Sequence, residues 1–111
     1  RDLVTWAVNH PTADLSIPAL ARRAAMSPRH LSRLFRREIG VSPARAVEAL
    51  RIEAAQRALA ETRAGIEEIA TRSGFGSAEV LRRTFLRVLH ATPSEWRARF
   101  GSQAPRAIGV S

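Results

Sequence analysis

The 111-residue sequence contains no cysteine, so it can form neither a disulfide nor a thiolate metal site. The absence of cysteine is also in keeping with a cytoplasmic protein. No apolar run approaches the ~20 residues that a membrane-spanning helix needs, and no secretory signal pattern is present. The chain begins with Arg1 rather than methionine, so we expect it to be a fragment of a longer protein.

Acidic residues are few beside the basic ones, ten against eighteen, which gives a net charge of +8. A domain this small and this basic is expected to bind a polyanion, and nucleic acid is the first candidate. Lysine is absent, so every basic side chain is arginine, whose planar fork of donors suits phosphate groups and guanine edges. A GC-rich genome would also replace lysine with arginine, but it would not produce the excess of positive charge.

The spacing of the hydrophobic residues, which make up 45% of the chain, predicts an all-α fold of about seven helices. Strand-like alternation is missing, and helix breakers fall at regular intervals. Helix starts are predicted at Ser16, Ser27 and Ser77, and at a capping box that begins with Thr92. The predicted helices cover residues 3–9, 17–24, 28–39, 43–61, 66–73, 77–89 and 93–100.

The two halves of the chain carry the same pattern. Each half has a short helix, a tight turn with small residues and a second helix, which together form the helix-turn-helix unit. We expect helix-turn-helix subdomains at 1–41 and 62–101, a linker helix at 42–61 and a flexible tail at 102–111. Matching residues lie 49 positions apart before the turn and 50 after it: Ile17, Leu20 and Ala21 match Ile66, Ile69 and Ala70, and Ser27, Leu31, Arg33, Phe35 and Pro43 match Ser77, Leu81, Arg83, Phe85 and Pro93.

The second helix of each unit is expected to bury one face and to expose the other. Leu31, Phe35 and Ile39 should face the core of the first unit, and the matching residues should do so in the second. The opposite face suits the major groove of DNA, where arginine can pair with guanine. One such helix alone would be read as a solvated basic face, but two repeated units in a basic chain favour DNA binding. The candidate DNA-contacting residues are Arg29, His30, Ser32, Arg33 and Arg36 in the first unit, and Ala78, Glu79, Arg82 and Arg83 in the second.

The linker helix is expected to set the distance between the two units. About 18 residues span ~27 Å, against the ~34 Å between successive major grooves on one face of B-DNA. A monomer should therefore contact two successive major grooves, with bent DNA or one weakly docked unit if the spacing falls short. Some arginines of this helix are expected to form i,i+3 or i,i+4 ion pairs, from Arg45, Arg51 and Arg57 to Glu48, Glu53 and Glu61.

Three stretches of the chain resemble the DNA-binding domain of the AraC/XylS family of bacterial transcription regulators. They are SIPALARRAAMSPRHLSRLFRREIGVSP, ALRIEAAQRAL and IEEIATRSGFGSAEVLRRTFLRVLHATPSEWRARF, and the last is similar to the family signature I..IA...GF.s...F.R.F....g.tP..yR. The resemblance extends from Leu3 to about Phe100 and implies sequence-specific binding of double-stranded DNA. One departure is His90, where the family usually has glycine, so the end of the sixth helix should be strained or differently shaped.

The resemblance also implies which residues read bases. Ala78 offers only an apolar contact, for instance to a thymine methyl group, and Glu79 can accept from a cytosine amino group but repels phosphate. The first unit is therefore expected to dominate the affinity. The stretch GFGSAEVLRRTF most resembles a subgroup with an N-terminal PfpI-like, amidotransferase-like domain, which implies an effector-binding or dimerising domain upstream. The implied base readers are Arg29, Ser32, Arg33, Ala78, Glu79, Arg82 and Arg83.

No catalytic residue, cofactor, metal site or membrane contact is predicted, because the three histidines are scattered and no spacing joins a nucleophile to a base. Trp6 and Trp96 are expected to anchor the core, and Glu67 and Glu68 either support their helix or contact RNA polymerase. Two other functions stay open. One is a DNA-targeting module fused to a repair enzyme whose catalysis lies outside this chain, and the other is a basic helical module that binds an acidic protein.

Overall fold

The computed structural model describes residues 2–101, and every regular element in that range is an α-helix. The all-α fold is therefore confirmed, and the predicted tail at 102–111 lies outside the described residues. None of the described helices is both long and apolar enough to cross a membrane. The helices in this range are α1 (Asp2–Asn9), α2 (Ile17–Arg23), α3 (Pro28–Glu38), α4 (Pro43–Glu61), α5 (Ile66–Arg72), α6 (Ala78–Leu89) and α7 (Pro93–Phe100).

Side-chain caps occur at the predicted starts of α2, α3, α6 and α7. The hydroxyls of Ser16, Ser27 and Ser77 each accept a hydrogen bond from the amide three residues ahead, in the first turns of α2, α3 and α6. Thr92 and Glu95 form the predicted capping box of α7, in which each side chain accepts from the other residue's amide. These four starts are confirmed, and each cap satisfies an amide that has no partner within its own helix.

Two compact units divide the chain at a boundary between Arg51 and Ile52, inside α4. The first unit contains α1, α2, α3 and the beginning of α4, and the second contains the rest of α4 with α5, α6 and α7. α4 contributes buried residues to both cores, which explains why apolar residues occur around most of its circumference. The helix-turn-helix pairs are α2 with α3 and α5 with α6.

The core of the first unit draws on all of its helices and on the loop before α2. Trp6 packs against this core, as predicted. Ile39 differs from the prediction, because α3 ends at Glu38 and Ile39 is 46% exposed at the C-terminal cap. The four-residue apolar step stops there because the helix no longer turns the side chain towards the core. The buried members are Ala7, Leu15, Leu20, Ala21, Leu31, Phe35 and Val47.

The core of the second unit repeats this arrangement around α6. Leu81 and Phe85 are fully buried, as the repeat predicts, and Trp96 packs against this core as an anchor. Ser73 and Thr84 are buried polar residues, and each hydroxyl donates to the carbonyl four residues earlier in the chain. Their burial therefore leaves no unmet hydrogen bond at either hydroxyl. The buried apolar members are Ile52, Ala55, Leu59, Ile69, Ala70, Leu81 and Phe85.

Arg51 of α4 holds the loop between α1 and α2. Its Nε donates to the carbonyl of Pro11 at 3.0 Å, and its Nη2 donates to that of Ala13 at 3.1 Å. The side chain is partly buried, and this burial lowers the pKa of Arg51 from its ordinary value. The prediction that some arginines of α4 pair with glutamate is confirmed by Arg45, which contacts Glu48 at 3.1 Å, whereas Arg51 bonds to backbone carbonyls instead.

Arg97 of α7 holds the end of α4 and the loop before α5. Its guanidinium donates to the carbonyls of Leu59 at 3.1 Å, Thr62 at 3.3 Å and Ala64 at 2.7 Å. Ala13 and Thr62, each held by one of the two arginines, are 49 positions apart, which is the spacing of the repeat before the turn. Each unit therefore has an arginine that fixes the loop leading into its helix-turn-helix pair, although the two arginines come from different positions of the repeat.

Two residues other than glycine adopt left-handed backbone conformations within residues 2–101. Ala25, in the turn between α2 and α3, has φ 56°, and Gly74, its counterpart in the second unit, has φ 93°. His90 ends α6 with φ 60°, so this helix ends in the left-handed region without the glycine of the family pattern. A side chain in this region costs roughly 1–2 kcal/mol, so the expected strain at His90 has a counterpart at Ala25.

Replacing Ala25 with glycine should raise the free energy of unfolding by about 0.5–1 kcal/mol, because glycine adopts this conformation without a Cβ clash. The neighbouring Ala24 has φ −88° and is the matched control, where glycine should lower the stability instead. Urea denaturation of both variants and the parent chain measures the two changes. A destabilised Ala25→Gly variant would contradict the strain assigned to this turn.

Candidate nucleic-acid interface

α3 exposes most of the first predicted set of DNA-contacting side chains. The Ser27 cap begins the helix, and Leu31 and Phe35 bury its inner face. The helical period then turns the residues between them towards solvent. Arg29, His30, Arg33 and Arg36 are exposed and Ser32 is half-buried.

The positive charges along α3 repel one another. Arg29 and Arg33 are one helical turn apart, and neither these two nor Arg36 has an acidic partner within ion-pair distance among residues 2–101. Arg37, on the same helix, contacts Glu38 at 3.6 Å. Like charges at i,i+4 destabilise a helix by about 0.2–0.5 kcal/mol. A phosphate or a guanine edge bound between Arg29 and Arg33 would relieve that repulsion.

α6 exposes the second predicted set with a different charge pattern. Glu79, Arg82 and Arg83 are exposed, and Ala78 is half-buried. Arg83 Nε lies 3.5 Å from Glu79 Oε2, and the two side chains are 65% and 64% exposed. The acid lies in the first turn and precedes the base by four residues, the order that the helix dipole favours. Because the pair is exposed, it stabilises the helix by at most about 1 kcal/mol and can be rearranged.

Equivalent positions of the two helices differ in their chemistry. Arg29 corresponds to Glu79, fifty positions further on, and Arg36 corresponds to Leu86, which is 38% exposed. Arg33 has an arginine at its equivalent position in α6. α3 therefore presents a surface of arginines without acidic partners in the described range, whereas α6 presents an ion pair and a neighbouring arginine.

Trp6 carries a stack of side chains that sequence analysis did not predict. Arg23 Cζ lies 3.5 Å from the centre of the Trp6 ring, and the His10 ring stacks on Trp6 with a centroid distance of 4.5 Å. The cation–π contact orients the Arg23 guanidinium on the first unit. Trp6 and Arg23 lie on different helices, so no spacing in the sequence could have indicated the contact.

The outer faces of α3 and α6 carry mainly guanidinium donors, together with the His30 ring, the Ser32 hydroxyl and the Glu79 carboxylate. These groups suit hydrogen bonds to phosphates and to base edges. Among residues 2–101, no three histidine, aspartate or glutamate side chains lie together in a way that could hold a metal ion. Every buried side-chain nitrogen or oxygen in the same range has a hydrogen-bond partner.

Sequence comparison finds relatives among transcription regulators. A family model described as a helix-turn-helix domain matches residues 20–99. The HTH-type transcriptional regulator Rv1931c of Mycobacterium tuberculosis is 50% identical over 84 residues, which are 76% of this chain and 32% of that protein. The HTH-type transcriptional regulator GlxA of Rhizobium meliloti is 39% identical over 84 residues, 76% of this chain and 26% of that protein. The chain thus spans about a third or less of the length of these relatives.

Solved structures share the fold. The DNA-binding domain of AdpA, a global transcriptional factor solved in complex with a target DNA, has a TM-score of 0.85 and 35% identity, and 89% of each chain is covered. The C-terminal domain of AraT, a response regulator from Geobacillus stearothermophilus, has a TM-score of 0.85 and 26% identity, covering 91% of this chain and 84% of that one. The fold of this chain therefore occurs in a domain solved on its DNA target.

Proposed function

We propose that this chain, which belongs to the AraC/XylS family of helix-turn-helix transcription regulators, is the DNA-binding domain of such a regulator and binds double-stranded DNA at specific sequences. The observation that carries the proposal is a repeated, serine-capped helix, α3 and α6, with a buried inner face and an arginine-bearing outer face. A helix of this kind fits the major groove, and arginine suits both phosphate and guanine. The DNA complex of the related AdpA domain supports the same function.

We further propose that α3 and α6 enter successive major grooves. α4 has 19 residues, a length of about 28 Å, which is comparable with the ~34 Å repeat of B-DNA. Selection of binding sites from random duplexes tests the proposal, and the expected product is a gapped site with half-sites about ten base pairs apart. Selection of one ungapped half-site would contradict the use of both helices.

The proposed roles follow from position on the two helices. Arg33 and Arg83 share one position of the repeat and are the proposed base readers, each donating two hydrogen bonds to O6 and N7 of a guanine. Other exposed groups position the domain on the phosphates. Those proposed for this role are His30 and Arg36, Arg29 and Arg82 contact either phosphates or base edges, and Ser32 and Ala78 add a polar and an apolar base contact.

Arg33→Ala should relax discrimination at one base pair of the selected site by about 1–3 kcal/mol, because the bidentate contact to guanine is lost. Competition with single-base variants of the selected duplex measures this change. Arg57→Ala, which removes an exposed arginine from α4, is the charge-matched control and should leave the base preference unchanged. Equal losses on the selected site and on random DNA would assign Arg33 to a phosphate instead.

The proposed domains and partners of the whole regulator come from the resemblance of this chain to the AraC/XylS family. The stretch at residues 74–85 supports an amidotransferase-like domain before this one, which would bind an effector or dimerise. Glu67 and Glu68 are exposed in the first turn of α5 and are a proposed contact for RNA polymerase, although Glu68 also pairs with Arg72 at 3.0 Å. A bacterial regulator of this kind acts on DNA in the cytoplasm. Sequencing upstream of Arg1 tests the domain proposal directly.

A further inference from the structure

Opposite charges occupy one equivalent position of α3 and α6. Residue 29 is arginine and residue 79 is glutamate, although one turn later Arg33 and Arg83 are the same. In α3 the two arginines repel each other, whereas in α6 Glu79 and Arg83 form the 3.5 Å ion pair. A DNA phosphate or guanine therefore relieves a repulsion on α3, but it must compete with an existing attraction on α6.

The Glu79–Arg83 pair keeps polar groups available for DNA. The contact joins Arg83 Nε to Glu79 Oε2, so the terminal nitrogens of Arg83 and Oε1 of Glu79 have no partner among residues 2–101. The nitrogens can donate to O6 and N7 of guanine, and the free oxygen can accept from the N4 amino group of cytosine. Because the two side chains touch, that cytosine must lie within about one base-pair step of the guanine.

We propose that Glu79 and Arg83 act together as a specificity element, which reads a cytosine beside a guanine and rejects non-specific contacts of α6. The proposal rests on the DNA-binding function proposed above. A carboxylate that faces the DNA backbone is repelled by phosphate, so any register of α6 that places Glu79 there is disfavoured. α3 then supplies most of the affinity through arginines without acidic partners in residues 2–101, and the Glu79–Arg83 pair adds selectivity to that of Arg33.

Binding-site selection with the parent chain and two variants tests the proposal. The parent should select a cytosine within one step of a guanine in the second half-site. Glu79→Gln keeps the shape of the side chain and removes its charge, so discrimination for cytosine should fall about tenfold, while affinity for random duplex rises a few-fold. Glu53→Gln removes an exposed carboxylate from α4 and should leave the base preference unchanged.

A charge exchange provides the second arm. Arg29→Glu combined with Glu79→Arg preserves the net charge of +8 and should move the cytosine preference to the first half-site. All substituted side chains are exposed, and circular dichroism verifies that each variant keeps its helices. The proposal is overturned if Glu79→Gln retains the parent's preference or if the exchanged variant keeps it in the second half-site. A parent chain that selects no sequence would instead defeat the proposed function itself.

Discussion

Replacing Arg97 with alanine should lower the free energy of unfolding of the second unit by about 3 kcal/mol, because hydrogen bonds to a charged group are lost at a partly buried site. The Arg97 guanidinium donates to the carbonyls of Leu59, Thr62 and Ala64. The Leu59 carbonyl lies in the last turn of α4, where carbonyls have no amide partner within the helix. The positive charge also complements the negative end of the α4 dipole.

The tryptophans make the effect of Arg97→Ala measurable unit by unit. Trp6 packs in the first unit and Trp96 in the second, so urea denaturation in a Trp6→Phe background follows the second unit through Trp96 fluorescence. Arg99→Ala removes an exposed arginine from the same helix and should change the stability by less than about 0.5 kcal/mol.

Arg97→Lys distinguishes the geometry of the guanidinium from its charge. The donors of a lysine ammonium all lie on one nitrogen, so they cannot reach carbonyls on three residues as the planar guanidinium does. Arg97→Lys should therefore recover only a minor part of the stability that Arg97→Ala loses. If Arg97→Ala were no less stable than Arg99→Ala, water would be satisfying the carbonyls and the bonds in the structure would contribute little.

Local signals account for what the sequence predicted well. The starts of α2, α3 and α6 depend on Ser16, Ser27 and Ser77, each of which bonds an amide three residues ahead. The buried residues of α6 follow from the repeat, since Phe85 occupies the position that corresponds to Phe35 and both are buried. The exposed arginine faces follow from the same helical period, because α3 and α6 bury one face and the residues opposite that face lie in solvent.

Long-range contacts account for what the sequence did not predict. Arg51 and Arg97 bond carbonyls 40 and 38 residues away, and no local pattern separates such an arginine from one that pairs along its helix. The exposure of Ile39 depends on where α3 stops, which apolar spacing alone does not fix. The pair of Glu79 and Arg83 is different, because its i,i+4 spacing is local and could have been recognised in the sequence.

Raising the salt concentration from 50 to 200 mM should weaken binding to the selected site about five hundredfold. If exposed arginines neutralise about five phosphates, a plot of log K against log salt concentration has a slope of about −4.5. The net charge of +8 makes phosphate attraction the dominant long-range force on this chain. A flat plot would contradict a mechanism in which backbone contacts supply most of the affinity.

Single substitutions on α3 distinguish arginines that contact phosphates from arginines that contact bases. Arg36→Ala should reduce the magnitude of the slope by about 1 and weaken all duplexes alike, because a phosphate contact carries no sequence information. Arg33→Ala should leave the slope nearly unchanged and alter the preference at one base pair. Both arginines are exposed on α3 without an acidic partner in residues 2–101, so they differ only in their place on the helix. If Arg33→Ala instead reduced the slope and Arg36→Ala altered the base preference, Arg33 would be the phosphate contact and Arg36 the base reader.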